Sequence, residues 1–319
     1  IIFFGDNPQT AALAVNSMSA IASGFTILFL FWTITHFAKR ILVAKSGTEL
    51  TNNQILLVMG AGVVGALAYT FSDSFWYSAV EGEVYALSSF FTALVFWMML
   101  KWEHSADHPG ADRWIILIFF MMGLSIGVHL LSMLSFPALA LFYYFKKYEK
   151  HNLLGMAIAA GGGVASIVVI QKLIIVGIPA LWTWMELIMV NGLGLPPQMG
   201  IIPTLLITLG VVILGLRFAH QRQNALLQQI FVALTLVVIG FSTIGVVVIR
   251  ANAAPPVNMN NPSDAMRLLP YLNREQYGER PLVYGPDFDA DVQSTDVTDR
   301  YGLVGDEYKI TDYKISVNY

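Results

Sequence analysis

The feature that most limits the fold of this chain is a series of apolar stretches, each close to the length of a membrane-crossing helix. A helix needs roughly 20 residues to cross a hydrocarbon core of about 30 Å. The predicted crossings are 11–36, 55–72, 83–100, 114–127, 129–145, 153–171, 201–217 and 228–249. Hydrophobic residues make up 56% of the chain and charged residues only 12%. The sequence therefore predicts an all-α polytopic membrane protein with about eight transmembrane helices.

Basic residues test this threading independently, because the cytoplasmic loops of membrane proteins are enriched in Lys and Arg. Ten basic residues that flank the crossings fall on one side, with Lys172 as the exception: Lys39, Arg40, Lys45, Lys101, Arg113, Lys146, Lys147, Lys150, Arg217 and Arg222. The opposite loops, 1–10, 73–82 and 178–200, contain no Lys or Arg. An even number of crossings then places the C-terminal tail outside the cytoplasm.

The stretch from Arg113 to Lys146 carries basic residues at both ends, so the chain must leave and return to the same side there. As a single helix its roughly 33 residues would extend about 50 Å, far more than the hydrocarbon core. We therefore predict a hairpin of two short helices that turns near residues 123–127, close to the outer leaflet.

Ser125, His129 and Ser132 form a polar stripe at positions i, i+4 and i+7 of this hairpin. One interpretation is helix packing through an interhelical hydrogen bond, which small polar residues provide in membranes. The other is that His129 donates to a lipid phosphate or to a substrate hydroxyl. The sequence leaves both open.

A change to polar, acidic composition divides the chain into a transmembrane domain, 1–250, and a soluble tail, 251–319. A short helix is predicted to start near residues 261–263 and to continue through AMRLLPYLNREQY, with Pro270 disturbing it. The following RPLVYGP favours a short strand and a turn, and the closing YKITDYKISVNY alternates like a strand. We expect a small extracytoplasmic α/β tail that is the start of a larger domain.

The segment 72–91 joins two predicted crossings on the outer side and carries Asp73, Glu81 and Glu83 without a basic residue. Carboxylates beside a membrane helix are costly to desolvate, so they are solvated, paired or functional. Ser78 and Glu81 fit a capping box, in which the serine caps the helix and the glutamate binds back to the cap. Glu83 would then lie one turn inside the helix, where no cap needs it.

Alternatives stay open for the other residues of this segment. Glu83 is either a functional acid or a buried, hydrogen-bonded structural glutamate, and Asp73 is either a solvated loop residue or a second functional acid. Trp76 and Tyr77 suit a membrane interface, and they would equally suit a platform for a sugar ring.

Lys172 lies at the outer end of the predicted crossing 153–171. It either extends to the headgroups with its stem along the helix or holds an anionic lipid phosphate. The loop 179–197, with Trp182, Trp184 and Glu186, predicts an interfacial helix on the outer membrane face.

The composition excludes several classes of site. The chain has no cysteine, which rules out disulfides, thiolate catalysis and Cys-ligated zinc. A net charge of −3 gives no reason to expect a nucleic-acid partner. No metal site is predicted, because no second histidine lies near His129, and His104 and His108 are interpreted as solvated loop residues. The glycines at 161–163 are predicted to pack closely against other helices.

Three segments resemble a known family: SFWYSAVEGEVYALSSFF, GLSIGVHLLSMLSFPAL and NPSDAMRLLPYLNREQYGERPLVYGP. They are similar to the domain-of-unknown-function family 2723 of bacterial membrane proteins, which is related to the vertebrate endoplasmic-reticulum protein O-mannosyltransferase called transmembrane protein 260. The resemblance spans essentially the whole chain. It implies a GT-C glycosyltransferase, a multi-helix membrane fold whose active site opens on the outer face. It also implies an inner-membrane location with a periplasmic tail.

The resemblance assigns particular residues. Glu83 matches the family's Ala/Gly-Glu-Val-aromatic position in the second outer loop. His129 matches a polar position of the short hairpin, although Val128 stands where the family usually has Asn. The family also carries an acidic residue in a first outer loop, followed by His-Pro-Pro-Gly, as the expected general base. No such segment occurs in this sequence, so we expect a chain truncated at both ends that lacks one catalytic residue.

The expected function is a transfer of a sugar, with mannose as the sugar of the related enzyme, from a polyprenyl-phosphate carrier to a protein or glycan hydroxyl at the periplasmic face. The expected site residues are Glu83 and Asp73 for catalysis, and His129, Trp76, Tyr77 and Lys172 for substrate binding. Expected partners are membrane lipids, the lipid-linked sugar and the acceptor; metal dependence is open. The alternatives are a non-catalytic membrane anchor or assembly subunit, and a transporter or flippase.

Overall fold

The structure, a computed structural model, describes residues 7–46, 49–278, 285–287 and 289–318. This part of the chain is mostly helical, with one two-stranded sheet near its C-terminal end. Its α-helices are α1 (Pro8–Ser46), α2 (Asn52–Thr70), α3 (Asp73–Val80), α4 (Val84–Ser105), α5 (Asp112–Ile126), α6 (Phe136–Lys147), α7 (Leu153–Val169), α8 (Gly177–Leu187), α9 (Ile201–Gln221), α10 (Ala225–Phe241), α11 (Gly245–Asn252) and α12 (Ala265–Leu272). The fold class predicted from the sequence is confirmed.

Six helical segments of the described chain are long and apolar enough to cross a membrane. They are Gln9–Val43, Asn52–Thr70, Val84–Ser105, Leu153–Gly192, Ile201–Gln221 and Ala225–Asn252. Only 6–33% of the residues in the apolar window of each segment are buried, as expected for helices whose apolar surface is solvated by lipid rather than packed in a core. Each corresponds to one of the predicted crossings.

The predicted hairpin between Arg113 and Lys146 is present as α5 and α6, joined by a 3-10 helix, Leu130–Ser135. With 15 and 12 residues, these helices are only about 22 and 18 Å long, short of a hydrocarbon core. The count of long spanning helices is therefore six rather than eight. The two short helices still return the chain to the side from which it came, so the predicted number of crossings stays even.

The helix Leu153–Gly192 is continuous over 40 residues and combines α7 and α8 with two π-helical segments, Ile170–Val176 and Ile188–Gly192. The first π-helical segment lies just before Pro179. In a regular α-helix the ring of this proline would clash with the carbonyl four residues earlier, and the wider turn of a π-helix is one way to avoid that clash. Lys172 lies in this segment, so its predicted position at a helix end is wrong. Residues 179–192 of the predicted interfacial segment 179–197 also belong to the long helix, so no separate helix forms there.

The chain divides into two compact units. The first comprises residues 1–167 and 232–243, and the second comprises residues 168–231 and 244–319. In the first unit α1 packs along α2 and α4, and aromatic side chains of α1 and α4 fill the contact: Phe29 lies 5.2 Å from Trp97 between ring centroids. The predicted boundary at residue 250 stays a prediction.

The second unit contains the folded part of the tail. The Asp264 side chain caps α12 by accepting a hydrogen bond from the Arg267 N–H at 3.0 Å, and Pro270 lies inside the helix, as predicted. Strands β1 (Ser294–Val304) and β2 (Glu307–Asn318) form an antiparallel hairpin, which confirms the strand-like C-terminal pattern. The strand predicted for RPLVYGP lies largely outside the described residues.

A β-bulge keeps the apolar residues of the hairpin on one face. Arg300 pairs with Asp312, but the next residue, Tyr301, pairs with Ile310, so Thr311 is the extra residue of β2. A shift of one residue would otherwise turn the apolar side chains to the other face. Tyr301 and Tyr308 therefore share a face and pack with Val190 and Met266 in one core cluster.

Candidate functional site

The link between α3 and α4 differs from the predicted capping box. Ser78 lies inside α3, where its hydroxyl donates to the Ser74 carbonyl at 2.8 Å. Glu81 ends α3, with its backbone N–H bonded to the Tyr77 carbonyl at 3.2 Å. The Ser78–Glu81 box is therefore wrong, because the helix that begins near Asp73 stops at Val80 and a second helix starts after it.

The link between α3 and α4 lies against α1 at Gly82. A Cβ atom built on Gly82 would lie 2.9 Å from a methyl carbon of Val15 and 3.2 Å from the side-chain oxygen of Asn16. A larger residue would push the link away from α1. Glu83 is the N-cap of α4, in an extended conformation, so its predicted position one turn inside a helix is wrong. Its side chain is exposed and makes no cap hydrogen bond.

The other predicted residues of this segment are also at the surface. Asp73 occupies the first turn of α3, where a carboxylate is favoured by the helix dipole. Trp76 and Tyr77 are 50% and 63% exposed, and the Trp76 ring stacks on Phe71 with centroids 5.9 Å apart. We call this end of the first unit, marked by Asp73, Glu81 and Glu83, the carboxylate end.

His129 stands at the tip of the short hairpin as the N-cap of the 3-10 helix. The Leu131 N–H donates to its Nδ1 atom at 3.1 Å. Because Nδ1 accepts a hydrogen bond, the neutral ring carries its proton on Nε2, which makes Nε2 a donor. The backbone of the hairpin thus selects one tautomer of this histidine.

The two serines of the polar stripe have a different role from His129. The Ser125 hydroxyl donates to the Ser132 hydroxyl at 2.6 Å, and both residues are fully buried. The Ser125 carbonyl also accepts the His129 N–H at 2.8 Å. For the serines the packing interpretation is confirmed, since their bond joins α5 to the 3-10 helix and holds the hairpin closed.

Glu83 and His129 lie at the same end of the first unit. Tyr85 is the second residue of α4, two positions after Glu83, and its ring contacts the ring of His129 with centroids 5.5 Å apart. The hairpin tip therefore rests against the first turn of α4. A carboxylate and an imidazole donor consequently border the same surface, whereas Lys172 belongs to the second unit.

A cavity of about 820 Å³ extends from this end into the membrane-spanning part of the first unit. Tyr69 and Leu131 line it at the carboxylate end, and Phe37, Leu100 and Phe142 line it toward the opposite end. Its remaining lining residues are Thr26, Leu30, Thr33, Ile34, Gly65, Ser89, Thr92, Ala93, Phe96, Leu134, Ser135 and Ala138.

The threonines of this cavity do not make it polar. Thr26, Thr33 and Thr92 donate to carbonyls four residues earlier in their own helices, at 2.9, 2.8 and 3.0 Å. Their donors are thereby used within the helix backbone. The cavity is a predominantly apolar groove, suited to a hydrocarbon chain rather than to a polar solute.

The opposite end of the first unit carries paired charges. Arg40 pairs with Glu103, and Lys146 pairs with Asp107 at 2.9 Å. The hydrogen bond from Lys146 lowers the pKa of Asp107. His104 and His108 are exposed, which confirms their interpretation as solvated. The described residues contain no group of three or more His, Asp or Glu side chains able to hold a metal ion.

Sequence reasoning missed the most buried acid of the described chain, Glu186 in the second unit, which is 0% exposed. Its carboxylate accepts from the Trp182 indole at 3.3 Å, the Tyr308 hydroxyl at 3.2 Å, and the backbone N–H groups of Gln198 and Gly200. Burial, and then the charge of Glu186, raises the pKa of Tyr308. The one signal in the sequence was the i, i+4 spacing of Trp182 and Glu186.

The side chain of Asn191 binds the backbone of β2 at Tyr308. Its amide donates to the Tyr308 carbonyl at 2.7 Å and accepts from the Tyr308 N–H at 2.9 Å. This pair imitates the bonding of a neighbouring strand. Glu186 and Asn191 together fasten β2 to the end of the long helix.

The fold and site define a polytopic membrane protein whose first unit presents carboxylates and a histidine at one end of an apolar groove. Residues 1–152 match the family described as Protein O-mannosyl-transferase TMEM260 N-terminal domain. The match covers α1–α6, including Glu83 and His129, and confirms the resemblance that the sequence motifs indicated. A membrane glycosyltransferase fits this family and this fold. No curated protein and no solved structure matches the chain.

Proposed function

We propose that the protein transfers a sugar, mannose by its family, from a polyprenyl-phosphate carrier to a protein or glycan hydroxyl on the extracytoplasmic side of the membrane. The observation that carries the proposal is the contact of Tyr85 with His129, which brings the first turn of α4 and the hairpin tip together. The apolar groove below them has the volume and lining that a lipid chain requires.

The chemistry needs few protein groups. The acceptor oxygen forms a bond to the anomeric carbon, the bond from that carbon to the carrier phosphate breaks, and the acceptor proton passes to a carboxylate. The phosphate leaves readily once donors stabilise its charge. The His129 Nε2–H is such a donor, and Lys172 stays a predicted second one. Trp76 and Tyr77 supply exposed rings for the sugar.

Glu83 and Asp73 are the carboxylates of this site. The family's first-loop acid has no counterpart in these 319 residues, so we assign Glu83 a supporting role beside that base and Asp73 a second one. Both are exposed at the carboxylate end, where an acceptor that arrives from water would meet them.

Replacement of Glu83 tests the proposal. In the full-length protein, Glu83→Gln should lower the rate of transfer from a polyprenyl-phosphate sugar by about 100-fold, the lower range for an acid–base group. Glu81→Gln is the matched control, because Glu81 is also exposed and lies two residues away at the end of α3. Unchanged turnover in Glu83→Gln would reject the role.

Two substitutions of His129 separate phosphate binding from helix capping. Asn can keep the acceptor for the Leu131 N–H but places no donor at the Nε2 position, whereas Gln places an amide near it. We expect Gln to retain more transfer activity than Asn at equal stability. Equal, wild-type rates in both variants would exclude contact with the phosphate.

A second candidate is a non-catalytic anchor that presents the tail to other proteins. In that case Glu83→Gln leaves every measured property of the full-length protein unchanged, and deletion of residues 251–319 abolishes complex formation. A transporter of polar solutes is disfavoured. The hydroxyl groups of the groove threonines donate to carbonyls of their own helices and are therefore not offered to a solute.

A further inference from the structure

The C-terminal end of α9, in the second unit, carries a cluster of cationic and polar side chains. Arg217, His220 and Gln221 are spaced i, i+3 and i+4, so they share one face of the helix, and they line a surface depression of about 540 Å³ with Leu216. Since α9 is one of the six spanning segments, its end lies at the level of the lipid headgroups.

The positive charge of this cluster is not compensated by acids. The sequence contains no Asp or Glu between residues 187 and 263, and within the described residues no ion pair or side-chain hydrogen bond engages Arg217 or His220. The first unit is different, because there Arg40 and Lys146 are each paired with a carboxylate. The end of α9 thus offers donors that have no partner within the described chain.

Two ordinary roles of cations at a helix end would explain why the end of α9 is positively charged, but not which side chains are present there. Cations in the last turn of a helix stabilise its dipole, and cations at a membrane edge set the topology. A lysine would serve both roles as well as an arginine does. Neither role requires a guanidinium, an imidazole and an amide around one depression.

We propose that Arg217, His220 and Gln221 bind the phosphate of an anionic phospholipid. A guanidinium donates two parallel hydrogen bonds to a phosphate, and the other two side chains supply further donors. The acyl chains would follow the same face of α9, where Leu209 and Ile213 are exposed below Leu216. This site is independent of the proposed transferase activity.

Native mass spectrometry of the purified chain in neutral detergent tests the site, with phosphatidylglycerol as probe and phosphatidylcholine as reference. We expect wild-type protein to retain phosphatidylglycerol about tenfold more tightly than phosphatidylcholine, because the choline cation of phosphatidylcholine neutralises its phosphate and is repelled by Arg217. The double variant Arg217→Gln/His220→Gln should lose this preference. Arg217→Lys, which keeps the charge, should also bind roughly tenfold more weakly than wild type because it loses the two-pronged geometry.

Lys146→Gln is the control, since it removes one positive charge that is already paired with Asp107, and its lipid retention should match wild type. Equal retention of both lipids by wild type, or an undiminished preference in the double variant, would overturn the proposal. If Arg217→Lys retained phosphatidylglycerol as well as wild type does, the two-pronged guanidinium contact would be rejected and only general charge attraction would be left. Displacement of phosphatidylglycerol by millimolar inorganic phosphate would identify a soluble anion as the ligand instead.

Discussion

Glu186 shows how a single buried carboxylate can organise several segments. An isolated charge is expensive to bury, and the cost falls when donors occupy its lone pairs. Here an indole, a phenol and two backbone N–H groups do so. Three parts of the second unit, α8, the loop before α9 and β2, therefore meet at one side chain.

Substitution of Glu186 should destabilise the second unit in a graded way. Ala leaves four buried donors without an acceptor and should cost at least about 3 kcal/mol, whereas Gln should cost about 1–3 kcal/mol because its NH2 group replaces an oxygen that accepts from two of those donors. Thermal unfolding in detergent measures both. Glu307→Gln, an exposed acid whose partner is also exposed, should change stability by less than about 0.5 kcal/mol. An equally stable Glu186→Ala variant would contradict this account.

At the scale of elements, helix spacing in the first unit depends on two glycines. A Cβ on Gly123 of α5 would lie 2.6 Å from the Val237 carbonyl oxygen of α10, and one on Gly240 would lie 2.6 Å from the Leu124 nitrogen. Backbones approach this closely only where side chains are absent, which is how membrane helices gain packing energy. Of the glycines at 161–163, only Gly163 makes such a contact, against Pro137 of α6, so the predicted close packing is confirmed for that residue alone.

Gly123→Ala should therefore push α5 from α10 and destabilise the protein by about 1–3 kcal/mol, the usual cost of overpacking. Gly161→Ala is the matched control, because a Cβ there meets nothing within 4 Å. That change should be neutral, or stabilising by up to about 1 kcal/mol through helix propensity. Unfolding midpoints in one detergent compare the two variants; equal midpoints would refute the close contact.

At the scale of the whole molecule, the sidedness of the chain follows from its charges. The charge pattern predicts that the carboxylate loop and the tail lie on one side of the membrane and the loops rich in Lys and Arg on the other. This arrangement would place the proposed site where a lipid-linked donor and a secreted acceptor can meet.

Single cysteines report this sidedness cleanly, because the chain has none of its own. We expect Ser74→Cys and Asp306→Cys, both at exposed positions, to react with an impermeant maleimide in intact cells. His108→Cys, also exposed, should react only after the membrane is opened. The reverse pattern, or labelling of all three in sealed cells, would invalidate the topology.

Much of this protein follows from local sequence. The spanning helices, the short hairpin between Arg113 and Lys146, and the alternating C-terminal strand were predictable, because hydropathy, charge and side-chain period act over one element at a time. The family match to residues 1–152 includes two of the three motifs from which the resemblance was predicted.

Only the tertiary structure decided the rest. Glu83 is a helix cap rather than an interior residue, at a link where Gly82 lies against Val15 and Asn16, far away in sequence. Glu186 became buried because its donors come from a loop and from Tyr308, which lies 122 residues later. The hydrogen-bond partners of a polar side chain depend on which segments, distant in sequence, come close to it in the fold. A local pattern of residues does not encode those contacts.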